Sequence, residues 1–336
     1  MPKPWTIKAL DTGSSVIDRS VITYLVGCGE PVKIPRVMFV LEGATTVVVD
    51  TSVPPGAAAA EFIGEQFERS TEQEPRNALS LAGVDPGDVE LVVLTHLHWD
   101  HAGNCDLFPE ARVLVQEAEL RYALAPGRFF RRSFLSPLSG WGQPPYLLPN
   151  LDVVRAEQEL LPGLHVVPVP GHTPGSQAVL VDTAEGRYCI AGDAVMSYDN
   201  LDRDVPGGFH LQVDDSMDSM DLLRRRADHV LPSHDYRLFP TGGVSVFPAP
   251  GTPAPGTPAP GTPAPGTPAP GTPAPGTPAP GTPVPGTPVP GTPAPGTPVP
   301  GTPVPGTPVP GTPVPGTPAA GRRSSPSSST SERRSA

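Results

Sequence analysis

The chain has 336 residues, 51 of them Pro and 36 Gly, and a formal net charge of −11. An acidic chain argues against nucleic acid as a main partner, and no uncharged apolar run is long enough to cross a bilayer. The start, Met1-Pro2-Lys3-Pro4-Trp5, lacks an apolar signal core, so the expected setting is cytoplasmic.

Trp5–Leu10 and Val16–Val26 alternate loosely and read as strands. Arg36–Leu41 and Thr45–Asp50 flank Glu42-Gly43-Ala44, a hairpin pattern. Residues 57–69 can be helical. Pro75–Ala82 forms a short helix with Pro75 at its start and Gly83 past its end. Leu91–Thr95 is an apolar strand, Arg112–Val115 another, and Gln116–Leu124 a helix. Residues 126–149 form a long irregular segment rich in Pro, Gly and aromatic residues, and segments of this length usually serve as lids or binding loops. Strands resume at Asp152–Ala156 and Leu164–Val169. Gln177–Asp182 and Arg187–Ala191 flank a second hairpin turn, Ala184-Glu185-Gly186. Val213, Met217, Met220, Leu223 and Ala227 recur at helical spacing, with the two Met as core filling, and His229–Leu231 is the last expected strand. Hairpins mixed with helices suggest two mixed sheets packed face to face and covered by helices.

From Gly251 to Ala320 the chain is fourteen pentads, Gly-Thr-Pro-Ala-Pro and later mostly Gly-Thr-Pro-Val-Pro, with no charge and no aromatic ring. Proline removes donors and glycine resists ordering, so this tract is expected to be extended and partly polyproline II. The last sixteen residues carry four Arg and one Glu, which leaves residues 1–250 with a net charge of −14. The expected organisation is one folded domain over 1–248, the repeat tract over 249–320 and a disordered Ser/Arg-rich tail over 321–336. Three cysteines, Cys28, Cys105 and Cys189, form no even framework and suit a reducing compartment; Cys28 and Cys189 read as small buried hydrophobes.

The strand Leu91-Val92-Val93-Leu94 runs into Thr95-His96-Leu97-His98-Trp99-Asp100-His101. Side chains two apart on an extended segment point the same way, so His96 and His98 can hold one metal ion. Asp100 and His101 lie in the following turn and can face a second. Buried His and Asp without partners cost several kcal/mol (~2–7 for an unpaired polar group), and a metal supplies the partner. Three later strands end in turns that each offer one ligand: His172 in Pro170-Gly171-His172-Thr173-Pro174-Gly175, Asp193 in Gly192-Asp193-Ala194, and His234 in Pro232-Ser233-His234-Asp235. Separately these are weak; in this order they are specific. Asp50, which closes an apolar strand, is either a hydrogen-bond partner for a ligand His or an ordinary turn residue. His165, His210 and His229 match no ligand position.

This constellation resembles the metallo-β-lactamase superfamily over roughly residues 1–245. The resemblance implies an α/β fold, a four-layer αβ/βα sandwich of two mixed sheets flanked by helices, with metals at one edge. It implies His96, His98 and His172 for a first ion, Asp100, His101 and His234 for a second, and Asp193 bridging. Aspartate rather than Cys at the bridging position speaks against a true β-lactamase. The phrase His96-Leu97-His98-Trp99-Asp100-His101-Ala102-Gly103-Asn104 is similar to that of N-acyl homoserine lactonases, as are the N-terminal hairpins and the aromatic insert. Many of those carry a Tyr three residues after the bridging Asp; here Met196 stands there, and Tyr198 is the candidate substitute, with ordinary packing as the alternative.

What this implies is a dinuclear hydrolase that opens a lactone ring through a metal-bridging hydroxide, a quorum-quenching activity, with Asp100 and Tyr198 as catalytic candidates. A thioesterase or other carboxylic-ester hydrolase of the same fold is the alternative. His nitrogen and Asp oxygen suit Zn²⁺ and also accept Fe, Mn or Co. Phe129, Phe130, Trp141 and Tyr146 either wall an acyl channel or pack the core. The expected partner is a small-molecule lactone or ester, with a homodimer open and with neither nucleic acid nor membrane. A scaffold role for the Pro-rich tract is the reading of a different class.

Overall fold

A computed structural model describes residues 4–55 and 66–248. The repeat tract, the Ser/Arg-rich tail and residues 57–65 of the expected helix lie outside the described residues. Where that helix was expected to end, Gln66–Glu68 is instead a strand (β4).

The first sheet has eight strands. β1 (Thr6–Asp18) pairs with β2 (Pro31–Glu42), which pairs with β3 (Thr46–Val49). β3 continues in parallel to β5 (Val89–Val93), β6 (Arg112–Gln116) and β7 (Leu151–Val154). β4 lies against β1, and the edge strand β13 (Val244–Phe247) pairs antiparallel with β1. The second sheet has the order β12 (His229–Leu231), β11 (Gly186–Ile190), β10 (Gln177–Thr183), β9 (Leu164–Pro168), β8 (Gln158–Leu161), with only the β11–β12 pair parallel.

Strand periodicity places the core. Along β2, Val37, Phe39 and Leu41 face the second sheet, while Met38 and Val40 face away. The first set packs with Val166, Val179, Val181 and Ile190 between the sheets. The second set packs under α2 (Pro75–Leu81) and α3 (Glu117–Leu124) through Ala78, Leu79 and Ala123. On the far side, α5 (Val213–Arg226) covers the second sheet with Met220 and Leu223. The result is the expected four-layer sandwich of two mixed sheets flanked by helices. Each fully buried Val, Leu, Ile or Phe contributes about 1.5–3 kcal/mol to holding the layers together.

Three local expectations need correction. The second expected N-terminal strand stops at Asp18, because the Asp18 carboxylate accepts from Ser20 N at 2.9 Å and caps α1 (Arg19–Ile22). His229–Leu231 is not the last strand; β13 follows and closes the edge beside β1. Cys28 is exposed, whereas Cys105 and Cys189 are buried.

Candidate metal centre

Every ligand-bearing turn follows a strand: His96 to His101 follow β5, His172 follows β9, Asp193 follows β11 and His234 follows β12. The turns meet where the two sheets meet, and all seven side chains are buried. Glycine permits the closest approaches. Gly192 has φ +53°, and a Cβ there would lie 2.8 Å from Thr95 Cβ. A Cβ at Gly175 would overlap the backbone nitrogen of Glu119.

His96, His98, His172 and Asp193 form one group, and Asp100, His101 and His234 another, with ligand atoms in each within 4.8 Å of one another. In the first group three ring nitrogens converge: His96 Nε2 is 3.0 Å from His98 Nδ1, and His172 Nε2 is 2.9 Å from His98 Nδ1 and 3.2 Å from His96 Nε2. In the second, His101 Nε2 and His234 Nε2 are buried and, among the described residues, face carboxylate oxygens of Asp100 and Asp193. Asp193 faces both. Its Oδ2 lies 3.3 Å from His172 Nε2, and its Oδ1 lies 3.2 Å from both His101 Nε2 and His234 Nε2. Imidazole nitrogens and carboxylate oxygens turned inward on one another are a donor set that a divalent cation satisfies.

The outer nitrogens of His96, His101, His172 and His234 are occupied, which fixes those four rings. His101 Nδ1 lies 2.8 Å from Asp50 Oδ2, His172 Nδ1 lies 2.5 Å from the Phe209 carbonyl, and His234 Nδ1 lies 3.0 Å from the Pro35 carbonyl. His96 Nδ1 lies 3.1 Å from Thr95 Oγ1, which itself donates to Asp50. Asp50 is therefore a ligand-orienting residue rather than a mere turn residue, and it sits at φ +61°. His98 is turned the other way, with Nδ1 inward and the ring against Phe134.

Burial, helped by the neighbouring imidazoles, pushes the His96 and His98 pKa well below 6.5. Burial also lowers His172. For His101 burial pulls the same way, but Asp193, Asp100 and Asp50 outweigh it and raise its pKa well above 6.5. For Asp193 burial alone would raise the pKa; His101, His234 and His172 win and hold it well below the usual carboxylate range.

A cavity of about 230 Å³ opens over these groups. Its apolar wall is Ile17 and Ile34 from β1 and β2, Val21 and Ile22 from α1, and Met196 from the turn after β11, faced by Trp99, Phe129 and Phe209. Of the four aromatic residues of the insert named above, Phe129 lines it. Phe130 packs on Phe209 at 5.1 Å between ring centroids, Trp141 packs beside Trp99, and Tyr146 is fully buried in the core. Tyr198 is not brought to the cavity. It is fully buried in the inter-sheet core, with Arg237 4.8 Å over its ring, and Met196 takes the lining position instead.

Two residues that sequence reading missed complete the site. Arg36, on β2, is buried beside the second group; it pairs with Asp100 and stacks over Trp99 at 4.9 Å. Glu119, on α3, is fully buried and accepts from Leu97 N at 2.9 Å, Thr173 Oγ1 at 2.6 Å and Gly175 N at 3.2 Å. It thereby ties together the loops carrying His96, His98 and His172. The charged residue at a mid-strand position among apolar neighbours (Arg36) and the acid on a helix face otherwise turned inward (Glu119) were the available signals.

The metallo-β-lactamase superfamily model matches residues 33–240. The chain belongs to the metallo-β-lactamase superfamily. Within it, the chain is similar to an N-acyl homoserine lactonase of Bacillus sp, 28% identical over 214 residues that cover 60% of this chain and 81% of the relative. It is also similar to the N-acyl homoserine lactonase AttM of Azorhizobium caulinodans, 34% identical over 170 residues that cover 47% and 63%. Among solved structures, a quorum-quenching N-acyl homoserine lactone hydrolase superposes with a TM-score of 0.61 at 21% identity, covering 74% of this chain and 98% of that one. The dizinc lactonase AidC does so with a TM-score of 0.54 at 14% identity, covering 73% and 90%. At such identities these structures show the shared fold. Together with the two ligand groups, the family makes this chain a metal-dependent hydrolase with a dinuclear-type site.

Proposed function

We propose that the protein opens the ring of N-acyl homoserine lactones. The observation that carries the reading is the pairing of two facing ligand groups with a cavity whose far wall is apolar, a shape that takes a polar ring at one end and an acyl chain at the other. The similarity to curated lactonases supports it.

His96, His98, His172 and Asp193 would hold one ion, and Asp100, His101 and His234, with Asp193 again, the other. Two divalent ions supply Lewis acidity for the ester carbonyl and a water of lowered pKa, near ~7. The donor set suits Zn²⁺ and accepts Fe, Mn or Co. The residues of the chain do the rest. Ile22, Ile34, Met196 and Phe129 hold the acyl chain and exclude water, and Trp99 and Phe209 bracket the ring. Asp100, in the second group and at the cavity wall, accepts the proton released on attack and returns it to the leaving alkoxide. Burial raises its pKa, but Arg36, His101 and His234 together bring it below the ordinary 3.8.

Met196 offers no hydroxyl to the carbonyl, and this favours keeping a second reading, a thioesterase or other carboxylic-ester hydrolase. A panel of N-acyl homoserine lactones of several chain lengths, acyl thioesters and aryl esters, followed by proton release with metal-loaded protein, separates the two. Preference for lactones with longer acyl chains supports the proposal; a preference for thioesters, or no lactone turnover, refutes it.

A further inference from the structure

Arg36 is an unusual neighbour for a divalent cation. Its guanidinium is buried in the wall of the cavity, with Ser15 accepting from Nε at 3.2 Å and from Nη2 at 3.0 Å, and with Trp99 beneath it. Its Nη1 donates to Asp100 Oδ2. The same oxygen is the one that points toward the second group, 3.7 Å from His101 Nε2 and 3.6 Å from His234 Nε2. An ion held by His101, His234 and Asp100 therefore shares its carboxylate oxygen with a fixed positive charge. Packing between Trp99 and Ser15 holds the guanidinium in place, and its burial limits screening by solvent. The first group has no such competitor: Asp193 Oδ2 faces His96 and His172, and among the described residues no Lys or Arg pairs with Asp193.

A protein arginine on a ligand carboxylate weakens that ligand in proportion to how fully the two cations share it.

We infer that Arg36 makes the two metal positions unequal, so that the Asp100–His101–His234 position fills last and releases its ion first. This rests on the two-ion reading of the site and goes beyond it, since nothing in the ligand set alone ranks the two positions. Its consequence is a protein poised between one-ion and two-ion forms at metal concentrations where a symmetric centre would be full.

The test uses the full-length chain, stripped of metal by chelation and titrated with Co²⁺, read by visible absorbance and by calorimetry. Wild type is expected to bind two equivalents in two steps separated by roughly tenfold or more in affinity. Arg36→Met, which keeps the stem and removes the charge, is expected to tighten the second step by roughly tenfold while moving the first by less than about threefold. Arg36→Lys, which restores a cation, is expected to return the second step toward wild type. A single step in wild type overturns the inference without any variant, as does a second step in Arg36→Met that is unchanged or weaker than in wild type. If Arg36→Met does not fold, Arg36→Gln, which can still bond Ser15, carries the same expectation. Two ions bound in steps without lactone turnover refute the lactonase reading and leave this one standing; lactone turnover with two equal sites does the reverse.

Discussion

Glu119→Ala is the substitution from which the structure predicts the largest effect outside the ligands themselves. The carboxylate accepts three hydrogen bonds in a fully buried position, two from backbone N–H groups of Leu97 and Gly175 and one from Thr173. Thr173 Oγ1 lies 2.6 Å from Ser176 Oγ and can turn to it, so that partner is rescued. The two backbone donors have no such recourse. Each buried unsatisfied donor costs about 1–3 kcal/mol, and the lost side chain leaves a void besides, so the total is about 3–5 kcal/mol. For a domain of this size that is a fall in Tm of roughly 6–20 °C. Leu97 lies between His96 and His98, and Thr173 follows His172, so metal binding at the first position should weaken by roughly 10–100-fold, more than at the second. Denaturant unfolding and stepwise metal titration measure both. A loss below about 1 kcal/mol with both steps intact would show that Glu119 does not hold these loops.

Asp50→Asn keeps a side chain that tolerates φ +61° but removes the charge facing His101; metal affinity should fall roughly tenfold or more at the second position and by less at the first, which Asp50 reaches only through Thr95, and undiminished affinity at the second position would contradict that placement. The metal-free protein should be most stable near pH 6.5. The lowered pKa values of His96, His98 and His172 give stability that is present above 6.5 and lost as pH falls through their folded values, with a slope of up to about 4 kcal/mol per pH unit for three protons. The raised pKa of His101 does the opposite, its contribution being complete below 6.5 and lost as pH rises through its folded value; denaturation midpoints that are flat from pH 5 to 8 would refute this. Removing residues 249–336 should leave turnover and Tm unchanged, as expected if 1–248 is the hydrolase domain, and lost activity would bring the repeat tract into the function.

Much of this was readable because the ligand types are strongly constrained by chemistry. Seven His and Asp residues in four strand-end turns have few explanations other than a metal, and the hairpins around Gly43 and Gly186 set the sheet order near them. What was not readable depends on contacts between distant segments. Arg36 meets Asp100 across 64 positions, and Glu119 meets Thr173 across 54; no local pattern marks either pairing. β13 was missed because Val244–Phe247 follows a glycine-rich turn, and only the open edge of β1 makes it a strand. The aromatic insert suggested the cavity wall, but that wall is built largely from Ile17, Ile22 and Ile34, on β1, α1 and β2, whose apolar pattern is indistinguishable from ordinary core. Tyr198 shows the same limit: two residues beyond Met196, the chain has begun the helix α4 (Tyr198–Arg203), and the ring turns inward under Arg237.

The most direct test is the metal content of protein loaded with Zn²⁺ and then dialysed, measured by mass spectrometry beside Asp193→Ala. Two ions per chain in wild type, and fewer than one in the variant, are the predicted result. Wild type that retains no ion, or Asp193→Ala that retains both, would contradict the centre described here.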